Sequence, residues 1–118
     1  MEWLNQPEKH DCKAADDYIS LLGIDRIWEN LASEHKSLQI NHRKAKDILR
    51  ASGLPLLPAD NKHVAKDLQK ITNGEKVSPI IVMPDKHTHR LIIADGYHRV
   101  CAVYHASEDE DIPCVGLK

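Results

Sequence analysis

Phenylalanine is absent from this 118-residue chain, and two tryptophans and three tyrosines are its only aromatic residues. A core of packed aromatic rings is therefore excluded, and Leu, Ile, Val and Ala must supply most of the buried surface. Cysteine is scarce as well. Cys12, Cys101 and Cys114 make an odd number without CxxC spacing, which argues against a disulfide framework and for a reducing compartment. No apolar run approaches the roughly 20 residues that span a bilayer. The polar stretch Met1–Cys12 lacks the apolar region of a secretory leader. A cytoplasmic location without a membrane segment is the expectation. Charge of one sign is also missing: the formal net charge is −2, so no global positive field draws the chain toward nucleic acid.

What is present fits one ordinary domain. Hydrophobic residues make up 42% and charged residues 29%, and a chain of this length buries roughly two-thirds of its unfolded surface on folding. No internal repeat or low-complexity tract is visible.

The first dozen residues read as a loosely held arm. From Cys12 to about Ser33, the apolar positions Ala15, Tyr18, Ile19, Leu22, Ile27, Trp28 and Leu31 recur at helical spacing. Gly23 interrupts them, and Asp25 is placed to cap a second short helix. These helices offer apolar residues either to the core of the same chain or to a homodimer interface, and no residue among them suggests chemistry. Residues 34–42 are polar and unperiodic, a connector or helix start. Lys44–Ser52 reads as a helix ended by Gly53, and Leu54–Pro58 as an edge strand or loop limited by its prolines. Asp60, or alternatively Asn61, caps a helix carrying the stripe Val64, Leu68, Ile71, which Asn73-Gly74 stops. Val77–Met83 and Arg90–Ala94 read as strands around a turn at Pro84–Thr88. The continuous run Leu91-Ile92-Ile93 suggests burial on both faces. Val100, Val103 and Tyr104 give a further helix, Ser107–Asp111 an acidic loop, and Ile112–Leu117 a closing strand. The pattern predicts an α+β fold: a helical segment over 1–42 that packs on a main unit over 43–118, itself a small mixed sheet with helices.

Two features carry candidate chemistry. His42, Arg43, Lys44, Lys46 and Arg50 cluster, with Asp47 among them. They form either a solvated face or a patch, centred on Arg43–Lys46, that meets nucleic acid or an acidic protein partner. The second feature is Asp95-Gly96-Tyr97-His98-Arg99, where a buried strand ends and a helix begins. A helix start attracts anions because unpaired N–H groups and the positive end of the helix dipole coincide there. Gly96 permits close approach, and Arg99 suits bidentate contact with phosphate oxygens. The plainer reading has Asp95 as a helix cap and His98 and Arg99 as solvated side chains. Local physics does not separate the two.

Residues 60–117 resemble the ParB/sulfiredoxin-like superfamily. The order of elements matches, and Gly96, Arg99 and Ala102 occupy the three positions of a Gly-x-x-Arg-x-x-Ala turn that holds nucleotide phosphates in that superfamily. The resemblance implies its small mixed sheet packed with helices. Sulfiredoxins carry Gly-Cys-His-Arg, and Tyr97 stands where their nucleophilic cysteine would be; Cys101, one turn on, reads as a structural thiol. ParB proteins carry Gly-Glu-Arg-Arg and add a helical DNA-binding domain after the turn, for which a chain ending at Lys118 leaves no room. The Asp-Gly-His-His-Arg of free-serine kinases is the variant most similar to Asp95–Arg99. That likeness implies a nucleotide tri- or diphosphate with Mg²⁺, held by Gly96, Tyr97, His98 and Arg99. It implies catalytic roles for His98 and for Asp95, the latter orienting an acceptor hydroxyl or Mg²⁺. Glu75 or Asp60 are candidate bases. The expected function is a stand-alone nucleotide-binding domain, which as an enzyme would be an ATP/ADP- or CTP-dependent phosphotransferase or nucleotide hydrolase. The alternatives are a non-catalytic interaction module and a ParB-like DNA-binding or nuclease protein. His87-Thr88-His89 and His10-Asp11-Cys12 contain ligand types but not the spacing of a zinc site, so no protein-held metal is expected.

Overall fold

The computed structural model describes residues 1–23 and 38–117. Its elements are α1 (Lys9–Leu22), β1 (Ile40–Lys44), α2 (Ala45–Ser52), α3 (Lys62–Thr72), β2 (Ile80–Asp85), β3 (Arg90–Asp95), α4 (Tyr97–Ala106) and β4 (Asp111–Val115). The four strands form one mixed sheet in the order β1-β4-β2-β3. β1 pairs antiparallel with β4, β2 antiparallel with β3, and β2 parallel with β4. The fold is α+β, as the pattern predicts.

Side-chain alternation explains why helices cover both faces. On β2, Ile80 and Val82 join the larger core, while Ile81 and Met83 join a second one. β3 divides in the same way, Ile93 to the first core and Ala94 to the second. A strand apolar at successive positions must bury both faces, and the double burial expected from Leu91-Ile92-Ile93 is present at Ile93 and Ala94. The first face is covered by Ala45, Ile48 and Leu49 of α2, Val64 of α3, and Val100–Val103 of α4. The second is covered by Cys12, Ala15 and Ile19 of α1, whose three- and four-residue spacing sets them on one helical stripe.

Two expectations need correction, and one left open is decided. The first dozen residues are not a loose arm. Trp3 bridges to Val77, Leu4 N donates to Val77 O (2.8 Å) and Val77 N to Glu2 O (3.1 Å), while Pro7 is fully buried. α1 accordingly starts at Lys9, before Cys12. Of the polar connector expected over 34–42, residues 34–37 lie outside the described residues and the strand β1 begins at Ile40, while Lys44 is the N-cap of α2, not its first turn. An edge strand with three exposed residues (His42, Arg43, Lys44) in five shows no alternation that the sequence can reveal. Leu54–Pro58 is a loop outside the sheet. His105 Nε2 donates to Leu57 O (2.7 Å) and the Tyr97 hydroxyl to Pro55 O, which strap the loop to α4. The expected second helix capped by Asp25 lies outside the described residues.

Between the two candidate caps of α3, Asn61 is the one used: its Oδ1 accepts from His63 N (3.0 Å) and Val64 N (3.2 Å). Asn61→Ala is therefore expected to cost about 1 kcal/mol, whereas Asp60→Ala should stay within about 0.5 kcal/mol of the parent. Urea unfolding of the two variants side by side checks this.

Candidate functional site

β3 ends at Asp95, and the chain turns through Gly96 (φ 108°) into α4. This conformation favours glycine, and space forbids anything larger: a Cβ at Gly96 would lie 2.6 Å from Ile80 Cγ2 and 3.1 Å from Arg99 Nη2. Gly96 is the N-cap of α4, and no side chain caps the helix, so the reading of Asp95 as its cap is not met. The first-turn N–H groups of α4 are left for another acceptor.

Arg99 turns inward. Its Nη2 donates to Pro79 O (3.0 Å) and lies 3.4 Å from Asp95 Oδ2. Only 14% of the side chain is exposed. Nε is buried without a hydrogen-bond partner among the described residues. Arg99 is thus neither a solvated side chain nor purely a ligand-facing one; it ties α4 to the entry of β2. Two adjoining clefts share it, together with Asp67 and Lys70 of α3. One, of about 220 Å³, also holds Asp95–His98, His63 and Lys66. The other, of about 190 Å³, also holds Glu8, His10, Asp11, Lys76 and Ser78. His98 packs between His63 (ring centroids 4.8 Å) and Tyr97 (5.6 Å). The five residues expected from sequence, Asp95 to Arg99, therefore line one cleft. Neither candidate base does: Asp60 and Glu75 line neither cleft, while Asp67 and Asp11 do.

Asp11, weighed from the sequence only as part of a His10-Asp11-Cys12 metal-ligand set, was not connected there with Asp95. It lies in the first turn of α1, is 7% exposed, and accepts from the Ser78 hydroxyl and from Glu8 N (3.2 Å). Its negative charge also acts on the Asp95 carboxyl. Burial, with Asp11 adding to it, pushes the Asp95 carboxyl up to about 6 against the pull of Arg99. Asp95 is thus a largely buried carboxyl with a cation, Arg99, 3.4 Å from its Oδ2 and the charge of Asp11 acting against that cation. His63, Lys66 and Lys70 were passed over in the sequence. They share one face of α3 at spacings of three and four, and that basic stripe is the signal that would have found them.

The other candidates resolve differently. Lys46 Nζ lies 2.6 Å and Lys44 Nζ 3.7 Å from Asp109, and Arg50 pairs with Asp47 (2.9 Å). Three of the basic cluster's cations are thus already matched by carboxylates. All three thiols are buried; burial pushes Cys12 up to about 11 and Cys114 up to about 12, and it raises Cys101 too. Among the described residues no thiolate nucleophile is set up. Nor do any three His, Cys, Asp or Glu side chains among them converge as metal ligands, and no helix is long and apolar enough to cross a membrane.

A carboxyl raised from its ordinary 3.8 to about 6 contributes stability that is full below about pH 4 and lost as pH rises through about 6. Asp95→Asn keeps the shape without the charge. It is expected to match the parent at pH 4 and exceed it at pH 7.5 by on the order of 1–2 kcal/mol, allowing for solvent screening at a partly exposed group. Thermal melts of both proteins across that range measure the difference. Compared with family models, curated proteins and solved structures, the chain gives no match.

Proposed function

We propose that the groove beside Asp95–Arg99 binds the phosphate groups of a nucleotide, in the manner of the ParB/sulfiredoxin-like superfamily. One observation carries the reading. An uncapped helix start, with no room for a side chain at Gly96, opens into a cleft whose walls bring Arg99, Lys66 and Lys70 together with His98 and His63. Backbone N–H groups at such a start and fixed cations around it match an anion with several oxygens. In this reading Tyr97 and His98 flank the nucleotide, and Mg²⁺ arrives bound to its phosphates.

If the site is catalytic, an acceptor hydroxyl attacks the terminal phosphorus while the bond to the leaving nucleotide oxygen breaks. His98, with Asp95 in the fraction that stays ionised once the anion is bound, would receive the acceptor's proton. Water as acceptor gives hydrolysis; an alcohol gives transfer. The alternative interaction module, working through Arg43–Lys46, has less support, because Lys44 and Lys46 already face Asp109. A ParB-like nuclease has no cluster of carboxylates among the described residues to favour it.

Arg99→Ala is a poor test, since it would also remove the tie to Pro79 O. Lys66→Glu with Lys70→Glu reverses charge on the polar face of α3 and leaves the core alone. The expected result is a thermal shift on the order of 10 °C with ATP, ADP, CTP or GTP, with or without Mg²⁺, at 100 times the dissociation constant, where binding supplies about 2.7 kcal/mol. The double variant should melt near the parent and lose that shift. No shift with any nucleotide would leave the interaction module ahead.

A further inference from the structure

We infer that anion binding in this groove is coupled to uptake of a proton by Asp95, whose carboxylate is a built-in competitor for Arg99, with Asp11 setting the strength of the coupling. The inference rests on the phosphate-groove reading and concerns its regulation.

The geometry gives Arg99 two claimants. Its Nη2 is already 3.4 Å from Asp95 Oδ2, with 20% of the aspartate and 14% of the arginine side chain exposed. An incoming anion must share that guanidinium with a second, half-shielded negative charge at close range. Repulsion between like charges is strong where water is largely excluded. Protonating Asp95 removes the competitor without moving an atom of the backbone. Asp11 makes this the easier course, because it presents another carboxylate to Asp95 from α1, held by Ser78 and by Glu8 N. The raised carboxyl of Asp95 places the change near neutrality.

Other charged and titratable groups face this point. α4 contributes Arg99 and His98, and α1 contributes His10, Cys12 and Asp16 besides Asp11. α3 contributes His63, Lys66, Asp67 and Lys70, and Lys76 lies beyond. β2 brings its only ionisable residue, Asp85, at its far end, in the hairpin turn. With so many ionisable groups around the groove, a pH profile of the parent does not isolate Asp95. Comparison with a neutral isostere does.

The probe is sulfate, a tetrahedral dianion that keeps its charge throughout the working range, titrated by calorimetry from pH 5.5 to 7.5 in buffers of differing ionisation enthalpy. Parent protein should bind sulfate at least about 5-fold more weakly at pH 7.5 than at pH 5.5, the low end of typical coupling between two sites. It should take up protons as it binds near pH 6.5. Asp95→Asn should bind more tightly than the parent at pH 7.5, with a flatter profile and reduced proton uptake. Asp11→Asn, which removes the repulsion but keeps Asp95, should shift the fall in affinity to lower pH. Parallel profiles and equal proton uptake in parent and Asp95→Asn would overturn the coupling while leaving a phosphate site. Absence of sulfate binding at every pH overturns it too, and the nucleotide melts then decide separately whether the phosphate reading survives.

Discussion

The hairpin β2–β3 has to be buried on both faces, because Ile80, Ile81, Val82 and Met83 are all apolar and all inaccessible. Helices following the strands cover one face; the other needs material from elsewhere, and α1 supplies it through Cys12, Ala15 and Ile19. Once α1 lies along that face, its first turn falls beside the end of β3. The approach of Asp11 to Asp95 is thus a by-product of hydrophobic burial, and so is the electrostatic character of the groove. The hydrophobic term is large enough to bring two carboxylates together, since burying a single Ile or Leu is worth roughly 1.5–3 kcal/mol.

That juxtaposition shapes the groove's chemistry more than any one of its cations. Arg99, buried and tied to Pro79 O, would be a fixed positive charge if it stood alone. Asp95 partly cancels it, and burial together with Asp11 makes Asp95 a conditional charge. Lys66 and Lys70 line the same cleft from α3.

What was legible in the sequence was what local rules govern. The Gly96 turn, the stripe of α3 and the buried run of β3 each declare themselves within a few residues, because backbone freedom, helical period and alternation act over that range. Asp11 lies 67 positions from Ser78, with which it bonds, and no local pattern records that distance. β1 escaped because an edge strand exposing His42, Arg43 and Lys44 has no apolar face to show. The basic stripe of α3 was hidden for the opposite reason. A polar helix face looks the same in sequence whether it meets bulk water or the wall of a cleft.

The edge position of β1 has a consequence for how copies of this chain behave in a crowded solution. An open strand edge is a template on which another chain can extend the sheet, and a row of charged side chains is a common defence against it. His42, Arg43 and Lys44 occupy that edge. Among the described residues that row of charge stands on the outer strand of the sheet, where it would make strand-by-strand growth costly.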